Sequence, residues 1–350
     1  MSDRRKEAEA KMTKAIFISG NGWLAVFDLL SPRQLGLGIS MISHRFNFYV
    51  AEHFKTRKWT LALFRIRRKT GENGTNQMEI VNSRGKPLPI PHIQLPPKVI
   101  GFEHISISYI DQNAITFLRH FRQLFAVCPI HLSINTWSDR ILKIILRNIW
   151  PMFAKNIHGM ELPVRIFRRL RKFVPTILND CRPSLRVVSF DAEDMFPEFP
   201  ADDSAAASNG QAVAKWLFTP LQSDVPKMLK CGLDTDNLDA FKAAFASASS
   251  RINFIVVIWF DDSAMPFVLT NKLTQEQLTL KRTEYRNCFL LIRCPIVRDE
   301  SKWTKWEEEA IDWRIYNRWN RIGIQINDED QIGKGLLDAT PGPSDQQQQK

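Results

Sequence analysis

No stretch of this 350-residue chain comes near the ~18 uninterrupted apolar residues that a membrane-spanning helix needs, so no transmembrane segment is expected. The opening residues, MSDRRKEAEAKMTK, are charged and lack the apolar stretch and cleavage site of a secretory signal. Cysteine is sparse. Cys128, Cys181, Cys231, Cys288 and Cys294 are widely spaced, form no Cys-x-x-Cys step and have no histidine pair at zinc spacing beside them. Neither a disulfide framework nor a structural metal is expected, and a reduced intracellular compartment, cytoplasmic or nuclear, fits best. The Gly-x-Ser-x-Gly elbow, the His-Glu-x-x-His pair, the phosphate-binding loop and the EF-hand spacing are all missing, and each of these places a nucleophile, metal or phosphate by a fixed geometry. The seven histidines are scattered. The chain therefore reads as non-catalytic, with no catalytic residues, no cofactor and no metal.

What the chain does carry is positive charge. Its 48 Lys and Arg against 37 Asp and Glu give a formal net charge of +11. Charge of this size steers a protein towards acidic proteins, nucleic acid or anionic lipid. The segment RIFRRLRKF concentrates it: Ile166, Phe167, Leu170 and Phe173 share one helical face, and Arg165, Arg168, Arg169, Arg171 and Lys172 cover the rest. Two readings stand side by side, an ordinary solvated face and a docking face for an acidic partner or substrate. No aromatic RNP stripe or KH loop accompanies the charge, so nucleic acid is not an expected partner. The acidic stretch DAEDMFPEFPADD (191–203) has two Phe-Pro steps and no glycine turn, which reads as a surface loop rather than a metal loop.

Periodicity divides the chain. Residues 1–14 are a charged, disordered start, 15–58 are short helices, and 59–98 hold a β-meander (WTLALFRIRRK, QMEIVN) and a linker. From 99 to 260, apolar runs alternate with amphipathic helices. The runs are HISISYI, IHLSI, IHGMEL, LRVVSF, PKMLKCGL and NFIVVIWF, and the first four start about 26 to 28 residues apart. A solenoid-like repeat and a doubly wound parallel sheet both produce this spacing. Asp111, Ser138 and Asp236 stand where helix N-caps belong. Residues 261–330 return to antiparallel strands (MPFVLTNKL, EQLTLKR, CFLLIRCPI), followed by a helix, SKWTKWEEEAIDW, and a last strand, RIGIQI. Trp303, Trp306 and Trp313 recur at helical spacing and read as a core face. The tail, 331–350, is low-complexity and expected to be disordered. The expected fold class is α+β or α/β: a small three-helix module, a meander, then a repeat-like strand–helix region ending in an antiparallel β segment.

The stretch IFISGNGWLAVFDLLSPRQL admits two readings. Gly20, Gly22 and Ala25 satisfy the spacing of a dinucleotide-binding turn. That turn needs a long crossover helix and a second strand ending in an acid, but Pro32 stops the helix and SMISHRF supplies neither strand nor acid. The helical reading accounts for more residues. Asn21 or Gly22 caps WLAVFDLL; Ser31 caps a second helix with Pro32 at its first position and Gln34 completing a capping box; Ser43 caps HRFNFYVAEHF.

In this order, WLAVFDLLSPRQLGLGISMISHRFNFYV resembles an F-box. Phe27 and Leu30 correspond to the end of its first helix, Leu35 and Leu37 to its second, and Ile42, Ser43, Arg45 and Phe46 to its final element. GNGW replaces the usual initial Leu-Pro, and His44 stands where an Arg is common. The continuation through PLPIP, IGFEHISISYID, MFPEFPADD and CFLLIRCPI is similar to the F-box-like protein families of nematodes, in which a variable receptor region follows the F-box. The resemblance implies a non-catalytic substrate receptor of an SCF-type ubiquitin ligase. Residues 21–54 would dock a Skp1-like adaptor, and through it a cullin, while the remainder binds a protein substrate. The docking residues it implies are Trp23, Leu24, Phe27, Leu30, Pro32, Leu35, Leu37, Ile42 and Phe46. Two alternatives stay open: a scaffold that assembles no ligase, and a basic module binding an acidic protein or nucleic acid.

Overall fold

The computed structural model describes residues 18–30, 35, 39–56, 58–70, 76–82, 85–86, 99–181, 184–191, 195–233, 235–259, 265–285, 288–314 and 318–337. The chain divides into two compact units, Met1–Thr60 with Pro96–Ile100, and Leu61–Leu95 with Gly101–Lys350.

In the first unit, helix α1 (Gly20–Phe27) is capped not by Asn21 or Gly22 but by Ser19, two residues before the nearer of them, whose Oγ accepts from Gly22 N–H. Helix α2 (His44–Thr56) follows a 3-10 turn, Ile39–Met41, and Ser43 Oγ accepts from Phe46 N–H as the capping argument requires. Of the expected middle helix only Leu35 lies among the described residues; Pro32 and Leu37 fall outside them. Strands β1 (Trp59–Leu61) and β4 (Val99–Phe102) pair with each other.

The second unit is mixed α/β, built on a single sheet of twelve strands. In chain order these are β2 (Phe64–Thr70), β3 (Asn76–Asn82), β5 (His104–Ile107), β6 (Ile130–Thr136), β7 (Ile157–Leu162), β8 (Val187–Phe190), β9 (Lys227–Cys231), β10 (Phe254–Trp259), β11 (Phe267–Asn271), β12 (Glu276–Arg282), β13 (Cys288–Pro295) and β14 (Arg321–Ile326). Their order across the sheet is β11-β12-β13-β10-β9-β8-β7-β6-β14-β5-β2-β3. From β10 to β2 every neighbour runs parallel, and antiparallel partners close both ends. All six apolar runs expected between 99 and 260 are strands. The hairpin β2–β3 is no separate meander: β2 pairs with β5 and extends the sheet.

The crossovers carry helices α3 (Gln112–His120), α4 (Arg122–Val127), α5 (Asp139–Asn148), α6 (Val164–Phe173), α7 (Ile177–Asp180), α8 (Asn209–Leu217) and α9 (Thr235–Ala246). Asp111 and Ser138 cap α3 and α5, whereas Asp236 sits inside the first turn of α9. A parallel strand–helix–strand step is right-handed, so strands added in one direction place their helices on one face. The ring contacts agree: Phe117 of α3 meets Phe64, Phe167 of α6 meets Phe190, and Phe241 of α9 meets Phe254. Helix α10 (Glu300–Asp312) lies on the other face. Trp303, Trp306 and Trp313 pack there on Val187, Met228, Ile255, Val257, Leu290 and Ile292. Helix α11 (Lys334–Leu337) ends the described chain.

Strand β14 enters between β5 and β6, which are consecutive strands in the chain. Asn320 holds it there. At φ +58°, a conformation Asn tolerates better than most residues, it donates N–H to Phe102 O and accepts from Phe102 N–H through Oδ1. Its carbonyl accepts from His131 N–H.

Where the antiparallel end joins the parallel array, Arg293 and Glu276 form a fully buried ion pair at 2.7 Å. Arg293 also donates to Ser250 O and lies between the rings of Phe218 and Phe245, while Glu276 accepts from Ile252 N–H. Removing one member of such a pair strands the other charge. Arg293→Met is therefore expected to destabilise the protein by about 3–5 kcal/mol in urea denaturation. Adding Glu276→Gln, which keeps the acceptor for Ile252 but removes the charge, is expected to recover at least ~1 kcal/mol. A double variant no more stable than the single one would contradict this account.

Candidate functional site

The first unit closes a small core of its own. Phe27, Leu35 and Val50 are buried, with Trp23, Leu24, Leu30, Ile39, Phe46, Tyr49 and Phe54 packed partly against them. Trp23 and Phe46 meet edge to face at 4.8 Å, and His53 stands edge-on to Phe27 at 5.8 Å. Of the nine implied docking residues, Phe27 and Leu35 face inward, Trp23, Leu24, Leu30 and Phe46 are half-buried, and Ile42 is 63% exposed. Four further apolar side chains are exposed that sequence pattern did not single out: Val26, Leu29 (86%), Met41 and Phe48. Leu29 follows the last turn of α1, and Met41 ends the 3-10 turn before α2. Helical periodicity says nothing about residues just past a helix end.

The arginine-rich segment is helix α6, and its residues part company. Arg171 is buried. It donates to the carbonyls of Pro175, Ser204, Ala207 and Ser208 and to Asn209 Oδ1, so it ties the loop before α8 to α6 and offers no docking surface. Burial lowers its pKa, with Asp203 and Asp202 opposing. Arg168 and Lys172 are exposed, while Arg169 reaches Trp137 O and stands 3.5 Å from Asp139. Arg165 donates to Asn135 Oδ1 at 2.9 Å and lies over the half-exposed Trp137 ring at 4.2 Å. Sequence spacing gives the face of a helix but not the carbonyls that a following loop will bring.

A second feature lies on the sheet face opposite α3–α9. Along β5, β14 and β6, Ile105, Ile107, Ile322, Ile324, Leu132 and Ile134 are buried, and the residues between them are polar or glycine. Register aligns Arg65, Ser106, Gly323, Ser133 and Glu161 in one transverse row, continued by Ser189 and Lys230. One row towards the strand starts stand His104, Arg321, His131 and Gly159. The alternation in HISIS, IHLSIN and RIGIQI was readable; that the three strands lie together was not.

His131 is buried against Trp313 and His158, and a Cβ at Gly159 would collide with it. Burial, then His158 and Arg318, lower its pKa to about 3. Burial, then Arg321 and Arg65, bring His104 to about 4. Both rings are neutral near pH 7. The five cysteines are buried free thiols, all with raised pKa through burial. Among the described residues no group of three His, Cys, Asp or Glu side chains can hold a metal ion, and no helix is long and apolar enough to cross a membrane.

Because His131 takes its proton less readily folded than unfolded, its contribution to stability is complete above pH 6.5 and declines as pH falls towards 3. Urea midpoints are expected to drop over that window. In His131→Phe the slope should lessen by up to about 1.4 kcal/mol per pH unit. An unchanged slope would remove His131 as a source of acid sensitivity.

Compared with protein-family models, curated proteins and solved structures, the chain matches none.

Proposed function

We propose that this chain is an F-box-like substrate receptor of an SCF-type ubiquitin ligase, docking a Skp1-like adaptor through residues 21–54 and presenting a protein substrate from its second unit. The observation that carries the reading is the state of the first unit. Its core is occupied by Phe27, Leu35 and Val50, yet Val26, Leu29, Met41, Ile42 and Phe48 remain exposed within 23 positions. Helix ends and turns bearing that much apolar surface gain by being covered, each large side chain bringing roughly 1.5–3 kcal/mol gross on burial. The sequence resemblance says what covers them. Under this reading the protein performs no bond chemistry: it raises the effective concentration of a substrate beside a ubiquitin-charged enzyme.

The docking set follows the exposure rather than the sequence pattern alone. Leu29, Met41 and Ile42 make the contact, and Phe27 and Leu35 hold the helices that present them.

Co-expression with a Skp1-like adaptor and size-exclusion chromatography is expected to give a one-to-one complex. Leu29→Asp/Ile42→Asp should weaken it at least about a hundredfold, since two buried contacts become desolvated charges. The circular dichroism spectrum should stay unchanged, because both positions are exposed. A folded wild type that stays monomeric beside the adaptor would overturn the reading.

A further inference from the structure

Parallel sheets are normally covered on both faces. Here the parallel strands β5, β14, β6 and β7 are covered on the side of α3–α6, while the opposite side chains Ser106, Ser108, Arg321, Gly323, Ser133, Asn135 and Glu161 remain partly accessible and Gln325 is exposed. Every one of them is polar or glycine. Apolar residues of the same rows appear only further along, where α10 covers them. The face is thus built for contact with water or with a polar partner.

Its charge is uneven. Arg65 and Arg321 stand at the β2–β14 side; neither makes an ion pair within 4 Å among the described residues, although Glu103 attracts Arg321 from the start of β5. Nε of Arg321 is buried with no hydrogen-bond partner. Their combined field helps keep neighbouring His104 neutral. Arg165 adds a third guanidinium at the strand ends, beside Asn135. Glu161 stands at the opposite side of the row, near Lys230. Between the arginines and Glu161 the row holds only Ser106, Gly323 and Ser133, with the His104 ring beside Gly323.

We propose that this sheet face is the substrate-recognition surface, and that it takes an extended acidic peptide segment whose carboxylates lie over Arg65 and Arg321. That the bound segment is a substrate rests on the ligase reading; the binding itself rests on the sheet alone. From β2 to β7 the row crosses four strand spacings, about 19 Å, which roughly six extended residues cover. Carboxylates bind guanidinium groups through two parallel hydrogen bonds, which the terminal nitrogens of Arg65 and Arg321 can supply. The amides of Asn135 and Gln325 suit peptide backbone. Trp137, just past β6, already has Arg165 over its ring, and along the row from Arg65 to Glu161 no described residue is aromatic, which favours a peptide over single-stranded nucleic acid.

The test uses the full chain without any adaptor, so it fails or succeeds independently of the ligase reading. Fluorescence anisotropy would measure binding of a labelled Glu-Gly repeat peptide of about ten residues, its Lys-Gly counterpart and a single-stranded oligonucleotide of equal charge. The acidic peptide is expected to bind and the basic one not. Arg65→Gln/Arg321→Gln should weaken binding at least about tenfold. Ser133→Trp, which fills the middle of the row and leaves both arginines, should do the same. Arg168→Gln/Lys172→Gln, on α6, should leave it unchanged. Thermal melts would check that each variant is folded. Equal binding of both peptides, preference for the oligonucleotide, or an effect confined to the α6 variant would each overturn the proposal.

Discussion

The handedness of the parallel crossover governs this molecule. From β5 to β10 the chain adds strands in one direction across the sheet, and each addition puts its helix on the same side. Among the described residues seven helices therefore serve one face, and α10 is left to serve the other. A thirteen-residue helix is about 20 Å long and ~10 Å wide. Eight parallel strands are roughly 34 Å across. One helix cannot cover that width whichever way it runs, so part of the second face had to be composed for solvent. The tryptophans sit where α10 lies, and serines, glycines and arginines where it does not.

The same economy separates the roles of the charged residues. Arg293 and Arg171 carry full guanidinium groups into the interior, each surrounded by carbonyls, a carboxylate or aromatic rings. They join segments distant in the chain and are spent on architecture. Arg65 and Arg321 instead face the part of the sheet that α10 leaves uncovered. The net charge of +11 is thus no measure of the positive surface available to a partner.

Much of the second unit was legible because strand–helix alternation is a local signal. Alternating residues fix which side of a strand faces the core, and Asp111 and Ser138 mark helix starts through their own side chains. Neighbour relations are not local. Nothing in RIGIQI says that it lies between HISIS and IHLSIN, since period-two patterning specifies a face and not a partner. The fate of Arg171 was hidden for a related reason: all its acceptors but Pro175 lie 33 to 38 positions away. In the first unit Ser43 was readable as a cap, Ser19 was missed in favour of Asn21 or Gly22, and the Ser31 cap lies outside the described residues, while Phe27 and Leu35 showed their periodicity. Leu29 and Met41 lie at helix ends, where periodicity has no hold.

The wedge position of β14 bears on how the chain reaches this fold. Phe102 and Asn320, which bond to each other, are 218 positions apart. During synthesis β5 and β6 emerge long before β14 and face a gap that nothing fills until β14 has left the ribosome. Each presents an open edge of unpaired amides and carbonyls, the kind of edge that recruits other strands. The early part of the sheet is then a waiting template, and the arrival of β14 decides whether it closes on itself or on a neighbour.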